Sequence, residues 1–162
     1  MPHTVIDSPI GALTVVATDD NRLRGLYMEQ QRHLPQLETF GDRVDGLLPE
    51  VEAQLEEYFA GGRTTFDVPL ALFGTPFQLE VWNALLEIPF GETWTYGGLA
   101  AHLGKPPGAS RAVGLANGKN PISIIVPCHR VVGSTGDLTG YGGGLDRKRT
   151  LLAHESTTPA LF

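Results

Sequence analysis

The chain has a single cysteine among its 162 residues. That rules out an internal disulfide and a zinc set built on paired cysteines. Uncharged apolar runs are short, and none approaches the roughly 18 residues of a membrane-spanning helix. The opening residues, Met1-Pro2-His3-Thr4, form neither a basic nor an apolar leader, so no secretory signal is expected. The cytoplasm, where a lone thiol stays reduced, is the expected compartment. Positive charge is scarce too. Twelve Lys and Arg face eighteen Asp and Glu, a net charge of −6, which taken whole argues against a nucleic-acid binder. There is no Gly-x-Ser-x-Gly elbow, no His-Glu-x-x-His zinc helix and no glycine loop followed by Lys-Ser/Thr for a phosphate. No metal site is expected.

The charge that is present is unevenly spread. Residues 1–72 hold five Lys and Arg against twelve Asp and Glu. Residues 95–150 hold seven cations (Lys105, Arg111, Lys119, Arg130, Arg147, Lys148, Arg149) against Asp137 and Asp146. A chain acidic overall can therefore still carry a basic surface on its second half. Its length and 41% apolar content suffice for one compact domain or two small ones.

Pattern and punctuation predict the elements. Leu13–Ala17 and Leu23–Met28 flank the turn residues Asp19-Asp20-Asn21 and read as a hairpin, with Val5-Ile6 as a further short strand. Pro49 opens a helix to about Phe59, with Val51, Leu55, Tyr58 and Phe59 on one face and Gly61-Gly62 as its stop. A short strand is expected near Phe66-Asp67-Val68. Thr75-Pro76-Phe77-Gln78 carries the marks of a capped helix start, and Pro89 ends that helix. Gly91-Glu92-Thr93-Trp94 reads as a turn. Thr95 caps a helix from Tyr96 to Leu103, and a second helix runs from about Ala109 to Asn117, rich in Ala and Gly. The pair reads as a helix-turn-helix or as a plain packed helical hairpin. Asn120 to Val126 reads as a buried strand, Val131 to Gly136 as a loop, and Leu145 to Glu155 as a last helix.

The lone cysteine stands in Pro127-Cys128-His129-Arg130, straight after the apolar run. Free cysteine is most often a small buried hydrophobe. A thiol beside a histidine on a rigid buried segment is also a good place for a nucleophile, with Glu155 as the candidate carboxylate.

Pro127-Cys128-His129-Arg130-Val131, preceded by Asn120-Pro121 and followed by Tyr141 and Gly143-Gly144-Leu145, resembles the O6-alkylguanine-DNA alkyltransferases. Gly74-Thr75-Pro76-Phe77-Gln78, Ile88-Pro89, Gly91-Glu92, Tyr96 and Arg111-Ala112-Val113-Gly114 extend the resemblance over residues 73–155, with Ser8-Pro9-Ile10-Gly11 a looser match. It implies an α/β (α+β) chain in two units: 1–72, a ribonuclease H-like antiparallel sheet with a helix, and 73–162, mostly helical, with the helix-turn-helix. It implies repair of DNA by irreversible transfer of an alkyl group from O6 of guanine to Cys128, with O4-alkylthymine as a further substrate. Each molecule acts once, on a base flipped out of the duplex. His129 would activate Cys128 through a water, with Glu155 orienting His129. Tyr96 would donate to the leaving base, and Asn120 would brace the turn. Arg111 would fill the vacated stack, with Ala112, Gly114, Asn117 and Tyr96 also at the DNA. Tyr141, Val131, Ser134 and Gly142 would line the base pocket. The implied partner is double-stranded DNA carrying alkylated guanine, with no cofactor and a protein monomeric in solution; cooperativity on DNA stays open. The chain departs from better-known relatives in lacking a zinc cluster or a transcription-factor domain, and in Asn117 and Gly142, which leaves substrate range open. Two competing readings are a lesion-binding module without chemistry and a cysteine hydrolase built on the same three side chains.

Overall fold

Three antiparallel strands open the chain: β1 (His3–Ile6), β2 (Leu13–Ala17) and β3 (Leu23–Met28), in that order across the sheet. The structure, a computed structural model, describes residues 1–29, 34–35, 39–134 and 144–156. Register places Leu13 opposite Met28 and Val15 opposite Leu26, so alternate side chains of both strands bury on one face. The turn between them puts Asn21 at φ 61, a conformation asparagine tolerates.

α1 (Pro49–Phe59) covers the sheet through Val51, Leu55 and Tyr58, spaced i, i+4 and i+7, while Phe59 is only half-buried. Residues 66–68 form no strand. The Asp67 N–H donates instead to Gln54 Oε1 (2.9 Å), so a helix side chain serves the backbone that a neighbouring strand would have served. The only ladder contact there is a bridge between Leu70 and Leu23.

α2 (Pro76–Leu85) starts in the expected capping box: Thr75 Oγ1 accepts from Gln78 N–H (3.1 Å), and Gln78 Oε1 accepts from Thr75 N–H (3.0 Å). It ends at Leu85, before Pro89 is reached. Trp94, expected at the end of a turn, and Thr95, expected as a helix cap, form the short strand β4 (Trp94–Thr95), parallel to β5 (Val131–Val132), expected within a loop. Thr95 then caps α3 (Tyr96–His102) by accepting from Gly98 N–H at 2.9 Å. A 3-10 turn (Pro107–Ala109) leads into α4 (Ser110–Gly118), and α5 (Leu145–His154) closes the described chain.

α2, α3 and α4 pack together, fastened where Trp82 Nε1 donates to Ala116 O (2.9 Å). Apolar side chains from β2, β3, α1, α2, α3, α4 and α5 join one continuous core. Sheet and helices thus share one hydrophobic interior.

Candidate active site

Cys128 is not on a strand. Residues 122–126 are buried as expected, but their backbone turns. Pro121 and Pro127 lack the N–H a ladder needs, and Ile124 sits at φ 71. Asn120 takes the place of a neighbouring strand. Its Nδ2 donates to the carbonyls of Ile122 (3.2 Å) and Val126 (2.8 Å), and its Oδ1 accepts from Ile122 N–H (3.0 Å). The edge of β3 does the rest: Leu26 N–H donates to Pro121 O (2.9 Å) and Ser123 N–H to Leu26 O (3.1 Å). A β-branched residue in the left-handed region costs about 1–3 kcal/mol and persists only where its surroundings over-determine it. That fixed turn delivers Cys128 at the start of a 3-10 turn, Cys128–Arg130.

The Cys128 side chain is 4% exposed. Burial pushes its thiol up to about 11, although the Asn120 amide, the Lys148 charge and the backbone N–H groups of Cys128 and His129 pull it down. Such a thiol is protonated at neutral pH, so a base must take its proton before it can attack.

His129 is the next residue in the same 3-10 turn. Its Nε2 donates to Glu155 Oε2 at 2.8 Å in the tautomer the carboxylate selects, leaving Nδ1 as an acceptor with no hydrogen-bond partner among the described residues. Burial pushes the imidazole below its usual value against the pull of Glu155, so at rest it is neutral. Glu155, just past the end of α5, accepts three further hydrogen bonds: Tyr58 Oη at 2.5 Å, Arg130 Nε at 2.7 Å and Arg130 Nη2 at 3.1 Å. Burial works to raise this carboxyl, but the hydrogen bonds from His129 and Arg130 and the charge of Arg130 outweigh it and hold it at about 2. With Arg130 balancing its charge, Glu155 stays ionised and can stabilise an imidazolium formed on His129.

Lys148 completes the corner. It is fully buried, donates from Nζ to Val131 O (2.5 Å), and lies 5.9 Å from the centre of the Tyr96 ring. Burial pushes its ammonium down to about 8, and Cys128 opposes that shift. Tyr96, half-buried at the start of α3, has its phenol pushed up to about 12 by burial and then by Cys128, which keeps it a donor at neutral pH.

The structure therefore gathers Cys128, His129, Glu155, Asn120, Val131 and Tyr96 around one corner. Ser134 is exposed, and Tyr141 and Gly142 lie outside the described residues. Arg111 and Ala112 are exposed on α4, and Gly114 packs against the Tyr96 ring. Asn117 is a correction. Expected on the DNA-facing side of its helix, it is buried on the side of Val113 and Ala116, and its Nδ2 donates to Cys128 O at 3.2 Å. It braces the cysteine backbone from behind. Tyr58, Arg130 and Lys148 had no assigned role in the sequence reading. Lys148 was within reach: Lys148, Leu151 and Glu155 are spaced i, i+3 and i+7, which puts a lysine on the buried face of its helix. Among the described residues, no group of three His, Cys, Asp or Glu side chains could hold a metal.

Two family profiles match the chain: "6-O-methylguanine DNA methyltransferase, ribonuclease-like domain" over residues 1–72, and "6-O-methylguanine DNA methyltransferase, DNA binding domain" over residues 76–157. The chain belongs to the 6-O-methylguanine DNA methyltransferase family. A methylated-DNA–protein-cysteine methyltransferase of Mycobacterium tuberculosis is 54% identical over 159 residues, covering 98% of this chain and 94% of the relative. One from Salmonella typhimurium is 50% identical over 160 residues, covering 93% and 92%. In three dimensions the chain resembles Mycobacterium tuberculosis OGT in complex with DNA, with a TM-score of 0.89, 52% identity and coverage of 97% and 94%. Within this family frame the reactive corner and α4 both fall in the DNA binding stretch, whereas Tyr58 comes from the ribonuclease-like stretch. The Glu155 carboxylate is one of the places where hydrogen bonds join the two stretches, beside those between Leu26 and residues 121 and 123. No helix among the described residues is long and apolar enough to cross a membrane.

Proposed function

We propose that this chain repairs alkylated DNA by taking the alkyl group from O6 of guanine onto Cys128, once per molecule. The observation that carries the reading is the buried relay beside the only cysteine: His129 Nε2 on Glu155 at 2.8 Å, with Nδ1 left as an acceptor. A water hydrogen-bonded to Nδ1 and to Cys128 Sγ would carry the thiol proton to His129. The thiolate then attacks the alkyl carbon. The S–C bond forms as the O6–C bond breaks, and the bonding electrons stay with the base. Tyr96 donates toward the ring as charge builds there, and the relay returns a proton to it. In balance, the thiol hydrogen replaces the alkyl group on guanine, and Cys128 becomes a thioether. A thioether carbon is a poor electrophile and its thiolate a poor leaving group, which fits a single turnover.

The corner is too enclosed for a stacked base, so the lesion must leave the helix, at a cost of a few kcal/mol. Arg111 on the outer face of α4 would occupy the gap. Tyr141, Gly142, Val131 and Ser134 would wall the flipped base, with O4-alkylthymine as a further substrate of the same shape. In this reading 1–72 supports and 73–162 binds DNA and reacts, in the cytoplasm.

The test is mass spectrometry of the intact protein and its peptides after mixing with duplex DNA carrying O6-methylguanine in excess. The expected result is one methyl group on the Cys128 peptide, an equal amount of restored guanine, and no further turnover. The Cys128→Ala variant should bind the lesion and repair none of it. Unmodified protein that still holds the lesion duplex would leave a recognition module. Repair surviving in Cys128→Ala would sink the assignment.

A further inference from the structure

Leu115 is 64% exposed, more than any other large hydrophobic side chain among the described residues. Single exposed leucines are ordinary on protein surfaces, and only placement gives one a meaning. The outer face of α4 and its end carries four exposed residues: Arg111, Ala112, Leu115 and Lys119. Arg111, Leu115 and Lys119 are four apart, so they form a row with about 6 Å from each to the next. Gly114 and Gly118 flank the row. The face is otherwise trimmed so that a backbone can approach closely, and one large apolar side chain projects between two cations.

The row is also held firmly from behind. Val113, Ala116 and Asn117 are buried, Trp82 Nε1 donates to Ala116 O, and Asn117 donates to Cys128 O. A side chain on such a base can push against a partner without being folded away.

We propose that Leu115 is an apolar wedge that α4 presses into the minor groove, opening a base step close to the nucleotide extruded beside Arg111. The inference rests on the reading of this face as the DNA interface. Lys119 suits a phosphate at the edge of the groove, Arg111 fills the vacated stack, and the apolar tip between them suits the edges of the sugars and bases. Base pairs rise about 3.4 Å, so a side chain about 6 Å from Arg111 along the helix meets the duplex within two base pairs of the vacated position. There it would hold apart a step already weakened by the missing base. Steps that open easily, pyrimidine followed by purine, should accept it best.

The experiment compares wild type, Leu115→Ala and Leu115→Met. Each is titrated with lesion duplex over a range of salt, with pyrimidine–purine or purine–purine steps flanking the lesion. Each is also reacted with an O6-alkylguanine free base, which needs no groove. Leu115→Ala should bind duplex about tenfold more weakly, as expected for losing a buried leucine side chain. Its slope of log affinity against log salt should be unchanged, because no phosphate contact is lost. The preference for flexible flanking steps should vanish, reaction with the free base should match wild type, and Leu115→Met should restore binding. Unchanged duplex affinity in Leu115→Ala overturns the proposal and leaves the side chain to another partner. An equal loss with the free base also overturns it, since Leu115 would then act on the Cys128 corner. A wild type that neither binds lesion duplex nor is alkylated by it overturns the functional reading, and the wedge with it.

Discussion

The Cys128 corner and the outer face of α4 lie less than twenty residues apart in the chain, yet they are built by opposite rules. The corner is buried and crowded with polar groups: Glu155 alone accepts four hydrogen bonds. The α4 face is exposed and nearly bare, with alanine and glycine between widely spaced large side chains. One region needs fixed dipoles in a dry site, where they act at full strength on developing charge. The other needs access, and gains it by having little there. The price of the corner is paid in stability, through buried charges and a strained Ile124, while the face costs the fold almost nothing. A substitution should therefore report which region it belongs to by whether stability and activity fall together.

Glu155→Gln should lose both. The change leaves Arg130 with a buried guanidinium and no counter-charge, a class of defect that costs about 3–5 kcal/mol. Alkylation should slow by roughly two orders of magnitude or more, since His129 loses the group that stabilises its charged form. The pH dependence has a definite sign. The carboxyl is held near 2 in the fold, below its ordinary value of 4.5, so its contribution is fully present above about 4.5 and is lost as pH falls toward 2. Denaturant titrations between pH 6 and pH 2.5 should show wild type losing stability through that window and Glu155→Gln losing much less. Parallel curves would mean that some other carboxylate governs acid unfolding.

His129→Gln should separate chemistry from folding within the corner itself. At pH 7 its reaction with a free O6-alkylguanine should fall by about 10²–10⁴. Its log rate should then climb by one per pH unit toward about 11, where the buried Cys128 ionises without help. Wild type should climb far less steeply over the same range. If the variant's profile stays flat, another group sets the thiolate, and Lys148 is the first to replace, with methionine.

Arg111→Ala is the corresponding change on the bare face. Folding stability should move by no more than about 0.5 kcal/mol, the usual range for an exposed position free of special geometry. Affinity for lesion duplex should fall while reaction with the free base does not. A matching loss of stability and binding would instead make Arg111 part of the packing.

How far the sequence could be read follows the same division. The helix starts were written in local chemistry, as in the Thr75 capping box and the Thr95 cap, and the hairpin in its alternation and turn residues. Cys128, His129 and Glu155 could be put forward together because a motif names two of them and a helix end offers the third, and the fold joins His129 to Glu155. The buried strand before Cys128 was misread because hydrophobic β-branched residues record burial, not ladder pairing, and the deciding partner was the Asn120 side chain. Asn117 was misplaced because a helix rich in small residues gives little sign of which side faces in. Tyr58 was legible as an inward-facing helix residue but not as a partner of Glu155: it reaches the carboxylate across 97 positions of sequence, and only the packing of α1 brings them together.

Gly114 stands on the border between the two regions, and the smallest change proposed tests whether that border is rigid. A Cβ added there would meet Tyr96 Cδ1 at 3.7 Å and Cε1 at 3.8 Å, ordinary contact that requires no shift. Replacing a helical glycine by alanine is worth up to about 1 kcal/mol, so Gly114→Ala should raise the unfolding midpoint by roughly 2–4 °C. The methyl would rest against the phenol ring, so duplex affinity should stay within about twofold of wild type, well short of the fall expected when a buried leucine contact is lost. Alkylation should be just as fast if Tyr96 acts from where it sits. A variant that is more stable, binds duplex normally and alkylates slowly would show that Tyr96 has to move during transfer. The crowded corner would then depend on slack left by the bare helix beside it.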